Sequence, residues 1–373
     1  MTPPVLLHDP IAAVPRLSPI PSRGTTSPLA STVVPHPHLR IAHDRTMEVL
    51  TSPADHPFVL VVGPGGVGKT ALIQTIDNAL HYEARHEMAL DPSLRPAIRV
   101  DAPASWTGQF DFVGLWQRVV EAAEGPADRI TGDSVISLGI RAAVNGHRGD
   151  RPKDMQRAAV RACVNRGVRT ILLDEANHLS VLAGSVRAPD QLDVLKDFAN
   201  VAGVRILLVG AFPVLAFRDI SFQVARRIRT VPFLGYAATV ERERKGFRQA
   251  AAKLLGLMNG ANPELDDDLL EILFTGSAGC VGTLRNWLVE AEHHIARTGT
   301  SRDFRAVLRQ TGYPESSLRQ ARAEIEFGNR VLAGEAPPRA ERVYVAPRTA
   351  SGQVLKPGEA RPVRHDMPEP FDV

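Results

Sequence analysis

The amino-acid sequence predicts an α/β fold: a parallel sheet flanked by helices, followed by a small all-helical domain. Three observations predict it. Between residues 57 and 232, short apolar runs alternate with stretches of helical spacing, the pattern of strands joined by crossover helices. From 238 to 333 the strand signals stop and helical periodicity alone continues. The first apolar run, Phe58-Val59-Leu60-Val61-Val62, ends in Gly63-Pro64-Gly65-Gly66-Val67-Gly68-Lys69-Thr70, a Gly-x-x-x-x-Gly-Lys-Thr string that opens a helix at Ala71. Strand, glycine turn and helix together make that string a phosphate-binding loop rather than an accident of composition.

The elements follow in order. Leu39 to Leu50 has amphipathic helical spacing and leads into the first strand. Pro96 to Asp101 reads as a second strand, and 110–123 as a helix with apolar spacing. Residues 125–153 turn polar and read as a loop or weak helix. A helix over 155–166 precedes the strand Val168 to Leu173, which ends in Asp174-Glu175. A helix over 190–201 precedes the strand Val204 to Gly210, and Thr230-Val231 begins a short edge strand. Helices are expected near 238–257, 264–274, 281–297, 302–310 and 315–332.

The 373 residues suffice for about two domains, and 44% hydrophobic with 23% charged residues is ordinary for a globular chain. A net charge of +3 permits a nucleic-acid partner without demanding one. Cys163 and Cys280 have neither pairing nor metal spacing, and read as reduced core thiols inside helices of a cytosolic protein. No signal peptide or membrane-length apolar run is visible. Sixteen of the 29 prolines fall in residues 1–37 and 334–373. These ends read as extensions, either dispensable tails or docking arms, and carry no chemistry.

The chemistry gathers around the loop. Its backbone N–H groups and the following helix N-terminus suit anionic phosphates. Lys69 is placed to reach β- and γ-phosphates, and the Thr70 hydroxyl to hold Mg²⁺. Asp174 and Glu175 close a strand of the same sheet. Asp174 would hold the metal while Glu175 takes a proton from attacking water. Arg226 and Arg227 precede the edge strand and are candidates for an arginine finger donated to a neighbouring subunit. Arg285, on a helix opened by Gly279-Cys280-Val281-Gly282, is a candidate to reach the phosphates from the helical domain.

From Thr70 to Arg285 the sequence resembles a AAA+ ATPase, and within that group the TniB/TnsC-type transposition regulators. The closer resemblance rests on LLDEANHL at 172–179, QVARRIRTVPFLGY at 223–236 and SAGCVGTLRNWLVEAEHHIARTG at 277–299. It implies a AAA+ P-loop domain at 38–234 and a helical lid at 235–333, between the extensions 1–37 and 334–373. It implies that ATP and Mg²⁺ are bound by residues 63–71 with Arg285, Thr70 and Asp174. It also implies an ATPase that assembles as a ring or helical filament on double-stranded DNA and engages a transposase, with hydrolysis driving disassembly. Arg141, Arg148, Arg151 and Lys153, in the polar stretch, are the DNA-contact candidates. Other AAA+ assembly factors, such as a helicase loader or a partner-remodelling motor, fit the same motifs; the long helical domain and Asp174-Glu175 speak against a small-molecule kinase, and a missing polar sensor keeps open a signalling switch that barely hydrolyses ATP. Two departures stand out. Asn177 lies where the family often has His, and the strand at 204–210 runs into Gly210-Ala211-Phe212 without a polar sensor, which points to slow hydrolysis.

Overall fold

A computed structural model describes residues 27–53, 56–104, 110–128, 151–180, 188–217, 227–259, 263–299 and 303–335. The sheet domain comprises α1 (Pro28–Ser31), α2 (Pro37–Thr51), β1 (Phe58–Val62), α3 (Lys69–Glu83), α4 (Arg85–Leu90), β2 (Ala97–Asp101), α5 (Phe112–Asp128), α6 (Arg151–Asn165), β3 (Thr170–Asp174), α7 (Asn177–Ser180), α8 (Ala188–Ala202), β4 (Arg205–Gly210) and β5 (Ile228–Pro232). A 3₁₀ turn, Phe212–Phe217, follows β4. The helical domain comprises α9 (Glu241–Leu255), α10 (Asp267–Ser277), α11 (Val281–Thr298), α12 (Phe304–Thr311) and α13 (Glu315–Leu332).

The five strands are parallel in the order β2-β3-β4-β1-β5. Because side chains alternate along a strand, each strand feeds two cores. Leu60, Ile98, Leu173 and Leu208 face Trp116, Ala159 and Phe198 of α5, α6 and α8. Val59, Leu172, Leu207 and Val209 face Leu39 of α2 and Leu72 and Ile76 of α3. With helices on both faces, β1, β3 and β4 carry almost continuous apolar runs, as the sequence suggested. β1 lies one strand in from the β5 edge, so its C-terminal end opens between β4 and β5, where a doubly covered parallel sheet presents its ligand crevice.

Two features depart from the sequence division. Residues 27–37, which fall inside the expected N-terminal extension, are packed. Leu29 and Val34 sit in the helical-domain core, while Val33 sits under α2 and α3. The Lys253 amine donates to Pro35 O at 2.9 Å and Arg285 donates to Ala30 O at 3.2 Å. Proline spacing hides this segment because one helical turn and the extended residues after it pack through isolated apolar side chains, without periodicity. Helix α13, counted with the helical domain, returns to the sheet domain. Val331 enters the α5–α8 core, Ile325 packs on the α3-side core, and the ring of Phe212 lies where a Cβ on Gly328 would stand, at 2.2 Å. Cys280 is the N-cap of α11 rather than a residue within a helix, and both it and Cys163 are free and buried. No helix among the described residues is long and apolar enough to cross a membrane.

Candidate nucleotide site

The loop between β1 and α3 is shaped by two left-handed glycines, Gly66 at φ 72° and Gly68 at φ 112°. Gly68 caps α3 without a side chain, so the first N–H groups of that helix are left for a ligand. The glycines are also needed for close approach. A Cβ on Gly63 would lie 1.9 Å from Phe233 O, and one on Gly66 would lie 1.9 Å from Thr283 Oγ1. Thr283 at the start of α11 donates its N–H to Gly66 O at 2.8 Å, and Gly282 allows that contact. The lid is therefore seated directly on the phosphate loop.

Lys69 Nζ donates to Gly63 O at 2.9 Å and to Pro64 O at 2.8 Å. Burial lowers the Lys69 pKa, opposed by the nearby carboxylates of Glu175, Glu324 and Asp174. Asp174 ends β3 beside Asp101 of β2. Its Oδ1 accepts the Glu175 N–H at 2.9 Å and its Oδ2 accepts from Arg99 at 3.1 Å. Burial raises its pKa, opposed by the Glu175 N–H and the Arg99 charge. Glu175 is exposed and holds φ 55°, a left-handed conformation that costs a non-glycine residue about 1 kcal/mol or more. Asn177 Nδ2 donates to Glu175 Oε2 at 3.2 Å.

Two cavities flank the turn Gly68–Ala71. One, of about 360 Å³, is lined by Gly65, Lys69, Thr70, Glu175, Asn177 and Ala211, with Gly282 and Arg285 across from them. Polyphosphate fits this cavity: Lys69, Thr70 and Arg285 supply donors and Glu175 a carboxylate. Thr70 and Asp174 are the oxygen donors that could hold Mg²⁺ there. The other, of about 30 Å³, is apolar and lies between Val33, Val34, Leu39 and Ala71 on one side and Leu254 and Val281 on the other. It could take the flat apolar face of a base once its walls part.

The remaining candidates are spread out. Arg285 borders both cavities and donates from its guanidinium to Ala30 O at 3.2 Å. Arg227 is half-buried just before β5, and Arg229 within β5 is exposed and donates to His56 Nε2 at 3.0 Å. Lys153 is exposed on α6; Arg151 begins that helix, its side chain outside the description. Arg226, Arg141 and Arg148 lie outside the described residues. Sequence reasoning passed over three contributors. Val34 and His36 sit in a segment whose prolines suggested a tail, and Arg99 is an isolated charge in an apolar strand. The sign for Arg99 was its spacing two residues before Asp101, which puts both on one face.

Residues 54–213 match the family model described as an AAA domain. The parallel sheet, its phosphate loop after β1 and its flanking helices are the AAA+ P-loop fold, with a helical region following it. Among solved structures the chain is similar to a Walker-type ATPase of Pyrococcus abyssi, at TM-score 0.43 and 16% identity over 80% of this chain and 76% of that one. It is similar to domain III of the replication initiation protein DnaA of Thermotoga maritima, at TM-score 0.41 and 14% identity over 76% and 95%. It is also similar to Cdc6p of Pyrobaculum aerophilum, at TM-score 0.44 and 14% identity over 72% and 64%. Comparison with curated proteins finds no match.

Proposed function

We propose that this chain is an ATP-hydrolysing AAA+ regulator of DNA transposition. In this reading it binds ATP with Mg²⁺, assembles head to tail on double-stranded DNA, and presents the target to a transposase. The reading rests on one juxtaposition at the carboxyl ends of two strands of one sheet, separated by β4: Lys69 and Thr70 after β1, and Asp174 and Glu175 at the end of β3, with both carboxylates near the Lys69 amine. Lys69 would exchange its two loop carbonyls for phosphate oxygens. Thr70 and Asp174 would hold Mg²⁺, whose charge would offset that of the phosphates. Glu175 would orient water and accept its proton.

The transposition assignment is supported by the strings at 172–179, 223–236 and 277–299. Arg226 or Arg227 would complete a neighbour's site in trans, coupling ATP to a heterologous interface of the kind that closes rings or grows filaments. Lys153, with Arg141, Arg148 and Arg151, would meet DNA phosphates.

Glu175→Gln tests the chemistry. It should bind ATP with parental affinity, lose hydrolysis by about 10²–10⁴-fold, and persist on DNA in an ATP-dependent sedimentation assay. Hydrolysis at the parental rate would remove Glu175 as the base. Hydrolysis lost without any DNA-dependent assembly would leave an ATPase and remove the transposition reading.

A further inference from the structure

Resting on the ATPase reading above, we propose that Asn177 is the γ-phosphate sensor of this site, positioning Glu175 in response to an occupied phosphate cavity. The end of β4 offers nothing for that role. Gly210 has no side chain, and Ala211, which borders the phosphate cavity, carries only a methyl group. The polar group arrives instead from the turn after β3. Asn177, the first residue of α7, lines the same cavity and donates to Glu175 Oε2 at 3.2 Å.

The two departures from the family strings are thus one arrangement. A Cβ on Gly210 would stand 3.2 Å from Asn177 N, 3.3 Å from Asn177 Oδ1 and 2.6 Å from Val214 Cγ2. A polar residue at 210 would crowd the space that Asn177 and Val214 occupy. The loss of a side chain on β4 and the presence of an amide on α7 therefore accompany each other.

The chemistry of the amide suits the task. Its nitrogen carries two N–H donors, so it can bridge two anions that would otherwise repel each other. One hydrogen goes to Glu175, and a γ-phosphate oxygen entering the cavity would compete for the other. Only one residue separates Asn177 from Glu175, and Ala176 between them is fixed by its N–H to Val209 O at 2.9 Å. Glu175 itself is held at φ 55°. A pull on the amide is therefore passed to the carboxylate through a short, restrained link. ADP, lacking the γ-phosphate, makes no such pull.

The test compares Asn177→Ala, Asn177→Asp and Asn177→His with the parent. Affinities for ADP and for a non-hydrolysable ATP analogue are measured at equilibrium, and hydrolysis in single turnover. For Asn177→Ala, the analogue should bind about tenfold more weakly, the strength of one hydrogen bond to a charged group. Hydrolysis should fall about a hundredfold, and ADP affinity should stay within about twofold. Asn177→Asp replaces the donor with a carboxylate facing two anions and should lose more on both counts. Asn177→His retains a ring N–H and should recover part of the loss. Parental discrimination and rate in Asn177→Ala would overturn the proposal. So would an equal loss of ADP and analogue affinity, which marks a merely structural role for α7. A parent that binds neither nucleotide would sink the ATPase reading itself, and this one with it.

Discussion

The two cavities beside Gly68–Ala71 are built on opposite plans. The phosphate side, about 360 Å³, takes half of its lining from the turn at 65–71 and adds Glu175 and Asn177 after β3. The base side, about 30 Å³, is assembled from residues 32–39, the turn at 67–71, Leu254 of α9 and Val281 of α11. The first is roomy, mixed in polarity and built on one contiguous loop, with Gly282, Arg285 and Asn286 of α11 across from it. The second is small, mostly apolar and encoded by segments more than two hundred residues apart. The difference separates two tasks. Charge is handled by backbone geometry that a short string can specify. Fit is handled by packing, and the same residues that shape the base side hold the lid onto the sheet domain. Phosphate-side changes should alter chemistry and spare stability, while base-side changes should alter both.

The largest effect expected on the phosphate side comes from Lys69→Ala. Two charge-assisted hydrogen bonds to phosphate are lost, so ATP affinity should fall at least about a hundredfold. Stability should hold, because Lys69 is a buried amine satisfied only by two loop carbonyls, and its removal relieves desolvation. Calorimetric titration and thermal melting read the two quantities separately. Retained affinity would refute the phosphate assignment. A melting temperature that drops along with affinity would break the contrast between the two sides.

The matching change on the base side is Leu29→Ala. Leu29 is 0% exposed and sits among Phe247, Leu254 and Leu284 of the helical domain. Removing it should cost about 2–5 kcal/mol, the range for a buried leucine that leaves a cavity. Nucleotide affinity should also weaken, because the Thr32–His36 wall hangs on that anchor. Denaturant unfolding checks the first effect. An unchanged midpoint would mean that residues 27–37 do not hold the domains together.

The same contrast sets what the sequence could tell. The five strands and the long helices from 58 to 332 were legible because each carries its own period, while α4, α7 and the 3₁₀ turn are too short to show one; the phosphate loop was legible because its eight residues are contiguous. Asp174-Glu175 was legible from its place at the end of an apolar strand. The base side was not, since Leu29, Val33 and Val34 stand in a proline-rich stretch with no period to read. Nor was the return of α13, whose amphipathic spacing fits packing on either domain. Only contact geometry decides that Gly328 meets Phe212 and that Glu324 joins the carboxylates around Lys69. The role of Arg285 was half legible: its helix was placed correctly, while its bond to Ala30 depends on a segment 255 residues away.

The base side carries one further signature, smaller but specific, in His36. Its Nδ1 lies 3.0 Å from the Tyr236 hydroxyl and accepts the Leu39 N–H at 3.4 Å, so the neutral ring is the form that fits. The Tyr236 hydroxyl in turn accepts the His38 N–H at 3.2 Å. Burial depresses the His36 pKa to about 3, helped by the charges of His38 and Lys253. The unfolded chain binds a proton at His36 below the ordinary value of 6.5, while the folded chain refuses it until about pH 3. Stability from the neutral ring is therefore complete above pH 6.5 and is lost as the pH falls toward 3, at up to about 1.4 kcal/mol per pH unit. His36→Gln keeps a hydrogen-bonding side chain and removes the titration. Denaturant unfolding between pH 7 and pH 4 should show a shallower decline in that variant than in the parent. Parallel declines would show that His36 is solvated in the folded chain, and that the Thr32–His36 wall stands open rather than packed against the lid.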